Sequence, residues 1–292
     1  METFAFWNAN KLMNHKIINA FAILVAVFAT LCSGQLTAQA PDNRIPVPIT
    51  DPSRPVTVRA HLLNGSITVK SGAVKDVIVE ARVRGEARDE SRGAENGMKR
   101  IPITSSGLNI EAENNQVRIS TDSFQRTVDL TLTVPAKTSL SLKTVNDGNI
   151  VVNGVDGEMD IDDVNGSVTL NHVSGSVVAH ALNGRVLATL SRVDPKPMAF
   201  SSMNGDIDVT LPADTKATLN MRTDNGEVYS DFDIQLQTTA PQQTVEDNRN
   251  DGGKYRVKID KNVRGAINGG GPEIQLKNFN GNIYIRKAGA KQ

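Results

Sequence analysis

Short runs of alternating apolar and polar residues dominate this chain. Val56-Thr57-Val58 begins the pattern, and SITVK (66–70), VIVEARV (77–83), LNIEA (108–112), QVRIS (116–120) and VDLTLTVP (128–135) continue it. A period of two places alternate side chains on opposite faces of a strand, so each run reads as a strand with one buried face. From 144 to 230 the pattern acquires a longer period. Gly148, Gly157, Gly166, Gly175 and Gly184 recur at nine-residue steps, and Gly205 and Gly226 follow at steps of 21. Self-similarity at a fixed period signals a repeat architecture.

Alternate glycines in this series follow asparagine: Asn146-Asp147-Gly148, Asn165-Gly166, Asn183-Gly184, Asn204-Gly205 and Asn225-Gly226. A larger unit also recurs. VPAKTSLSLKT (134–144) leads to Gly148 much as LPADTKATLNMRT (211–223) leads to Gly226, and FNGNIYIRK closes the repeats around Gly281. Asn-Gly commonly marks a two-residue β-hairpin, but the apolar phase argues against one here. Apolar residues stand two before and two and four after the glycine, as in Val164, Val168 and Leu170; Leu182, Val186 and Ala188; Met203, Ile207 and Val209. One inward face running through the glycine suits a corner in a coil.

The expected fold is therefore all-β, a single-chain β-solenoid of stacked rungs of about 18–21 residues with the Asn residues hydrogen-bonded in a column outside the Gly corners. An antiparallel sandwich or meander is the alternative. Open solenoid ends expose unpaired strand groups, and the polar N-terminal coils and the charged C-terminal IRKAGAKQ are expected to cap them.

The first forty residues differ from the rest. Residues 17–31, IINAFAILVAVFATL, are uncharged and apolar, preceded by Lys11, His15 and Lys16 and followed by Ala38-Gln39-Ala40. This is the layout of a signal peptide, and the run is shorter than the roughly 20 residues a membrane span requires. The expected organisation is a signal peptide at 1–40, cut after Ala38 or Ala40, and a Pro-rich linker at 41–55. A β-repeat domain follows at 56–287, with a charged loop at 84–100 and a polar loop at 238–254, and a tail at 288–292 ends the chain. The single cysteine, Cys32, follows Leu31, where a lipid-attachment signal has a small residue. Contact with the membrane is then transient, during export, unless the signal is retained or Cys32 is lipidated.

Composition sharpens this picture. Lys and Arg number 32 against 32 Asp and Glu, and removal of Lys11, Lys16 and Glu2 with the signal leaves the charge near zero, so no electrostatic footprint for nucleic acid remains. Five of the twelve aromatics (Phe4, Phe6, Trp7, Phe21 and Phe28) precede residue 29, which leaves a core of Val, Ile, Leu and Ala. Branched side chains of this kind suit a pleated sheet.

The string VNGSVTLNHVSGSVVAHALNGRVLATL, with VPAKTSLSLKTVNDGNIVV before it, resembles the DUF4097 family of bacterial proteins, which carry an adhesin label drawn largely from architecture. The likeness spans roughly residues 56–287 and is strongest over 128–230. It implies a β-helix-like fold and export or membrane association, and it supplies no catalytic residues.

Reactive groups are sparse. His61, His172 and His180 lack metal-ligand spacing, although the step from His172 to His180 places them at similar repeat positions. Asp156, Glu158, Asp160, Asp162 and Asp163 form an acidic run in which Asp160 and Asp162 face outward beside inward Met159 and Ile161. It is expected to be a solvated face, with calcium at Asp160 and Asp162 as the alternative. No catalytic, cofactor-binding or metal-binding residue is assigned. The function expected is that of an exported, non-enzymatic scaffold contacting a protein or glycan of the cell envelope or surface. The alternative is a periplasmic envelope-stress or signalling component that engages a membrane partner.

Overall fold

The computed structural model describes residues 44–84, 107–121, 126–237, 243–247, 255–259 and 262–289. The expected signal peptide, with Cys32, Ala38 and Ala40, lies outside the described residues, as does the charged loop beyond Arg84.

The described residues contain no helix. Their strands form a ten-stranded sheet, an eleven-stranded sheet and a separate two-stranded hairpin. Within the repeats the chain alternates between the two large sheets, so each rung contributes one strand to each. Thr138–Asn146 leads to Ile150–Asn153, Met159–Asp163 to Val168–Val173, Val177–Ala181 to Val186–Leu190, and Met198–Asn204 to Ile207–Leu211. Equivalent strands of successive rungs pair in parallel, as in Met159↔Leu140 and Val168↔Ile150. This is the solenoid.

Inward side chains from the two sheets meet in one apolar core of Val, Ile, Leu and Ala, with Phe200 the largest fully buried side chain. Both faces of a solenoid rung differ sharply: Val128–Pro135 alternates buried and half-buried positions along its whole length. At roughly 25 cal/mol per Å2 of apolar surface removed from water, this continuous core supplies the main drive to fold.

The stacking order departs from chain order at two places. Val56–Asn64 lies between Gln116–Thr121 and Thr138–Asn146, and Ile67–Gly72 lies between Val128–Pro135 and Ile150–Asn153. At the other end, Glu273–Asn280 enters between Met198–Asn204 and Ala217–Asn225, while Ile283–Lys287 enters between Ile207–Leu211 and Val228–Ser230. The recurring strings at 134–144 and 211–223 mark these two slots. In each, the chain leaves the ten-stranded sheet and resumes one rung further along, and the first or last repeat fills the gap.

The last repeat is therefore interior, which corrects the expectation that IRKAGAKQ caps the stack; of the N-terminal coils, the rung of Val56–Asn64 and Ile67–Gly72 is interior while other N-terminal strands close that end. Antiparallel strands close three of the four sheet edges, and Val228–Ser230, parallel to Ile283–Lys287, forms the fourth. Arg44–Val47 and Val77–Val83 extend the ten-stranded sheet at one end, with Leu108–Glu113 on the eleven-stranded sheet beside them. Val263–Ile267 and Gln235–Gln237 extend the eleven-stranded sheet at the other. Reversing strand direction breaks the parallel register that would template another rung. Two expected loops also contain strands. Arg44–Val47 falls within the Pro-rich segment, with Val47 buried, and Gln243–Asp247 within the polar segment pairs with Tyr255–Ile259.

The Gly corners stack in one column, in the order Gly65, Gly148, Gly166, Gly184, Gly205, Gly281 and Gly226. A Cβ on Gly184 would lie 2.0 Å from the Gly166 carbonyl oxygen, and one on Gly166 would lie 1.8 Å from that of Gly148. Close approach of backbone to backbone excludes any side chain here. The intervening glycines form part of the opposite corner, where a Cβ on Gly175 would lie 2.0 Å from the Gly157 carbonyl oxygen.

Two predictions follow from this packing. Gly184→Ala will lower the unfolding free energy by about 3 kcal/mol through overpacking against the Gly166 carbonyl, measured by urea denaturation. Removing residues 273–292 will empty an interior slot, and the truncated chain will lose its cooperative transition by circular dichroism rather than merely its solubility.

Candidate functional site

Outward positions divide into a structural column and two polar surfaces. The column is the asparagine ladder. Asn165 donates to Asn146 at 2.9 Å, Asn183 to Asn165 at 2.8 Å, Asn204 to Asn183 at 2.9 Å, Asn280 to Asn204 at 2.8 Å and Asn225 to Asn280 at 2.9 Å. Asn146 donates to Asn64 at 3.3 Å. Each amide between the end members Asn64 and Asn225 uses its NH2 toward one neighbour and its oxygen toward the other, so the chain of bonds polarises cooperatively. The ladder crosses both slots, which joins residues far apart in sequence. Asn64 and Asn280 were missed because their repeats are separated from the central series.

A second line of bonds runs beside it, one residue after the glycines. The amide of Ser167 donates to Asn149 Oδ1 at 2.8 Å, that of Asn282 to Asp206 Oδ1 at 2.8 Å, and that of Glu227 to Asn282 Oδ1 at 3.0 Å. Arg84 terminates the corner at the capped end. Its guanidinium pairs with Asp129 and donates to the Asp147 carbonyl at 2.7 Å. The hydrogen bond from Arg84 holds the Asp129 carboxyl below the usual range. Arg84 and Asp147 border a polar concavity of about 500 Å3 that includes Ser66, Asn149 and Asn165.

The side-chain phase at the corner differs from expectation. Val164 and Leu182 are half-buried and Met203 is exposed, whereas Asp163, Ala181 and Ser202, one residue earlier, point inward. A slip in alternation falls between these inward residues and the glycine, because the Asn and the residue preceding it form the outside of the bend.

The acidic run is dispersed by the same geometry. Asp156 pairs with Arg192 at 3.2 Å, Glu158 with Lys196 at 2.7 Å, and Asp162 lies 3.9 Å from Lys143. Asp160 is exposed, and its neighbours Met159 and Ile161 are buried as expected. Asp163 is fully buried, which corrects its placement on a solvated face. Among the described residues no group of three or more His, Cys, Asp or Glu side chains is arranged to hold a metal ion.

The histidines are also rearranged. His172 sits in the ten-stranded sheet at an irregularity in strand pairing, with φ of 52°, while His180 lies in the eleven-stranded sheet with Nδ1 2.9 Å from Ser201 Oγ. They are not equivalent. His61 and His180 instead share one outward column through Lys143 and Asp162.

The most distinctive outer feature is aromatic. Tyr229 and Tyr284 occupy paired positions on Val228–Ser230 and Ile283–Lys287, with ring centres 5.2 Å apart and planes inclined by 11°. Arg286 lies over the Tyr284 ring at 5.3 Å and is held by both oxygens of Asp208 at 2.9 Å. Asn282 donates to the Tyr284 hydroxyl at 3.0 Å, and the Tyr229 hydroxyl donates to Glu227, a bond that together with the Glu227 charge pushes the phenol pKa up. Tyr229 remains 46% exposed. The insertion of the last repeat creates this platform, bringing together residues 55 positions apart. Rings fixed by stacking and hydrogen bonds present apolar area at little entropic cost. Arg286→Ala will release the Tyr284 ring, observable as increased mobility of its ring resonances by NMR, with global stability lowered by under about 1 kcal/mol.

No curated protein matches this chain. A solved structure described as "a putative cell adhesion protein" from Clostridium sporogenes ATCC 15579 aligns over 84% of this chain and 98% of its own, at 10% identity and a TM-score of 0.42. Another, "a putative adhesin" from Bacteroides fragilis NCTC 9343, aligns over 84% of this chain and 95% of its own, at 11% identity and a TM-score of 0.31. Residues 139–268 match the family model described as Toastrack DUF4097, the family that the repeats resemble.

Proposed function

We propose that this chain is an exported interaction scaffold of the cell envelope or surface, and that it contacts its partner through its outer sheet faces without catalysing a reaction. The observation that carries this reading is the Tyr229–Tyr284–Arg286 platform, an ordered aromatic and cationic patch on the outside of a rigid stack. Aromatic rings and arginine dominate the binding energy of contact surfaces. Repeat scaffolds bind along extended faces rather than in pockets, and the space between the two sheets here is filled by apolar side chains.

Export is supported by the basic, apolar and small-residue segments of the first forty positions. The partner in this reading is an envelope or surface component, a protein or a glycan, whose exposed apolar and polar groups match the platform. Nucleic acid is disfavoured by the balanced charge.

Protease treatment of the tagged protein in intact and permeabilised native cells tests the compartment. Digestion in intact cells is expected for a surface scaffold. Protection until permeabilisation would instead favour the periplasmic signalling component. Tyr229→Ala with Arg286→Ala is expected to weaken binding to isolated native envelopes by about tenfold, an effect of the size that interface anchors carry. Unchanged binding would remove the platform from the interface.

A further inference from the structure

One inward column beside the Gly corners is polar over much of its length. In stacking order it contains Leu62, Thr144, Asp163, Ala181, Ser202, Asn278 and Thr223. Four of these side chains perform one task, donating to the carbonyl of the glycine in the preceding rung. Thr144 Oγ1 reaches Gly65 O at 2.8 Å, Ser202 Oγ reaches Gly184 O at 2.8 Å, Asn278 Nδ2 reaches Gly205 O at 2.8 Å, and Thr223 Oγ1 reaches Gly281 O at 2.9 Å. These carbonyls are brought within a Cβ's reach of the next glycine. The column offers acceptors and requires donors. Asn278 illustrates the preference, since its NH2 is bonded while its buried oxygen has no partner.

Asp163 occupies the same position with respect to Gly148. A Cβ on Gly166 would lie 1.8 Å from Gly148 O, 2.7 Å from Asp163 Oδ2 and 2.9 Å from Asp163 Oδ1, which places the carboxyl group beside that carbonyl. The residue has 0% exposure, and neither carboxyl oxygen has a hydrogen-bond partner. An ionised carboxylate has no proton to give and would face the carbonyl oxygen with like charge. A carboxylic acid has one donor, the group its column-mates all supply. Leaving a buried polar group unsatisfied is costly, and burying an unpaired charge costs more.

We infer that Asp163 is held as a neutral carboxylic acid whose O–H donates to the Gly148 carbonyl, so that loss of this proton loosens the corner and makes the stack pH-sensitive at this rung.

The charges around it favour this state. On its own strand Asp162 adds a negative charge, partly offset by Lys143 at 3.9 Å on the flanking strand. On the other flanking strand His180 is level with Asp162 and turned to Ser201. Thr144 and Ala181, the neighbours in the column, are uncharged, and the facing sheet presents buried Ile150, Val168 and Val186. Asp147 lies in the adjoining turn. The amides of Ile150, Asn165 and Gly166 all draw the pKa down, and the first two of them are committed to Ser167 O at 3.1 Å and Val145 O at 3.0 Å. Burial, followed by the charge of Asp162, pushes the carboxyl up to about 7 against this opposing pull.

A carboxyl group whose pKa rises on folding stabilises the folded state most at low pH. Its contribution is fully present below the unfolded value near 3.8, declines as pH rises, and is lost above about 7. Carboxylates lowered by salt bridges, such as Asp129, act in the opposite sense at acid pH. Comparison with Asp163→Asn separates the two, because Asn supplies a permanent donor as Asn278 does.

The experiment is thermal unfolding of wild type and D163N from pH 4 to 9, combined with 13C NMR titration of the Asp163 carboxyl in the wild-type chain. The variant's advantage in melting temperature is expected to be small at pH 4 and to grow to roughly 5 °C by pH 8. The carboxyl resonance should titrate with a midpoint near 7, with amide exchange at Gly166 accelerating above it. Parallel melting curves for the two proteins, or a midpoint in the ordinary carboxylate range, would overturn the assignment. If D163N fails to fold, the wild-type titration decides alone.

Discussion

The approach of glycine to glycine at one corner governs this structure. Each rung settles on its neighbour with backbone atoms where a side chain would otherwise stand, as the 1.8 Å between a hypothetical Gly166 Cβ and Gly148 O makes plain. That contact brings the preceding asparagines into hydrogen-bonding range, and it also aims glycine carbonyls at the inward column of Thr144, Asp163, Ser202, Asn278 and Thr223. Outside the corner a ladder of amides forms, and inside it a line of acceptors awaits donors. Both follow from the absence of a Cβ.

The interior position of the first and last repeats ties the chain's two ends to its middle. Parallel stacks built strictly in chain order can fray rung by rung, because each rung touches only its neighbours. Here the rung of Val56–Asn64 and Ile67–Gly72 is needed to connect Gln116–Thr121 and Val128–Pro135 to Thr138–Asn146 and Ile150–Asn153, and the rung of Glu273–Asn280 and Ile283–Lys287 does the same between Met198–Asn204 with Ile207–Leu211 and Ala217–Asn225 with Val228–Ser230. Long-range pairing of this kind demands that distant segments meet before the stack closes, which raises the entropic cost of folding while binding the ends into one cooperative unit. Antiparallel strands beyond these slots then terminate three of the four sheet edges.

The same insertion builds the outer platform. Tyr284 comes from the last repeat and Tyr229 from the repeat it displaces outward, while Asp208, from the rung on the far side, fixes Arg286. A surface assembled from three rungs is as rigid as the stack beneath it, which is the property an extended contact face requires.

The sequence by itself determined the periodic elements. Alternation specified strands, the nine-residue glycine step specified two corners to a rung, and Asn before Gly specified a ladder, because these properties depend on residues close together in the chain. Inward placement of Met159 and Ile161 was legible for the same reason. Only the tertiary structure decided the order of rungs, since strings as similar as those at 134–144 and 211–223 record that a unit recurs, not that each borders a gap. It also decided the fate of Asp163. Alternation from Met159 and Ile161 carries Asp163 inward, opposite Asp160 and Asp162, provided the strand runs straight that far, whereas the apolar count from Gly166 assigns the inward place to Val164. Where the straight strand stops and the corner begins is set by contacts with the rungs above and below, which lie 18 residues or more away along the chain.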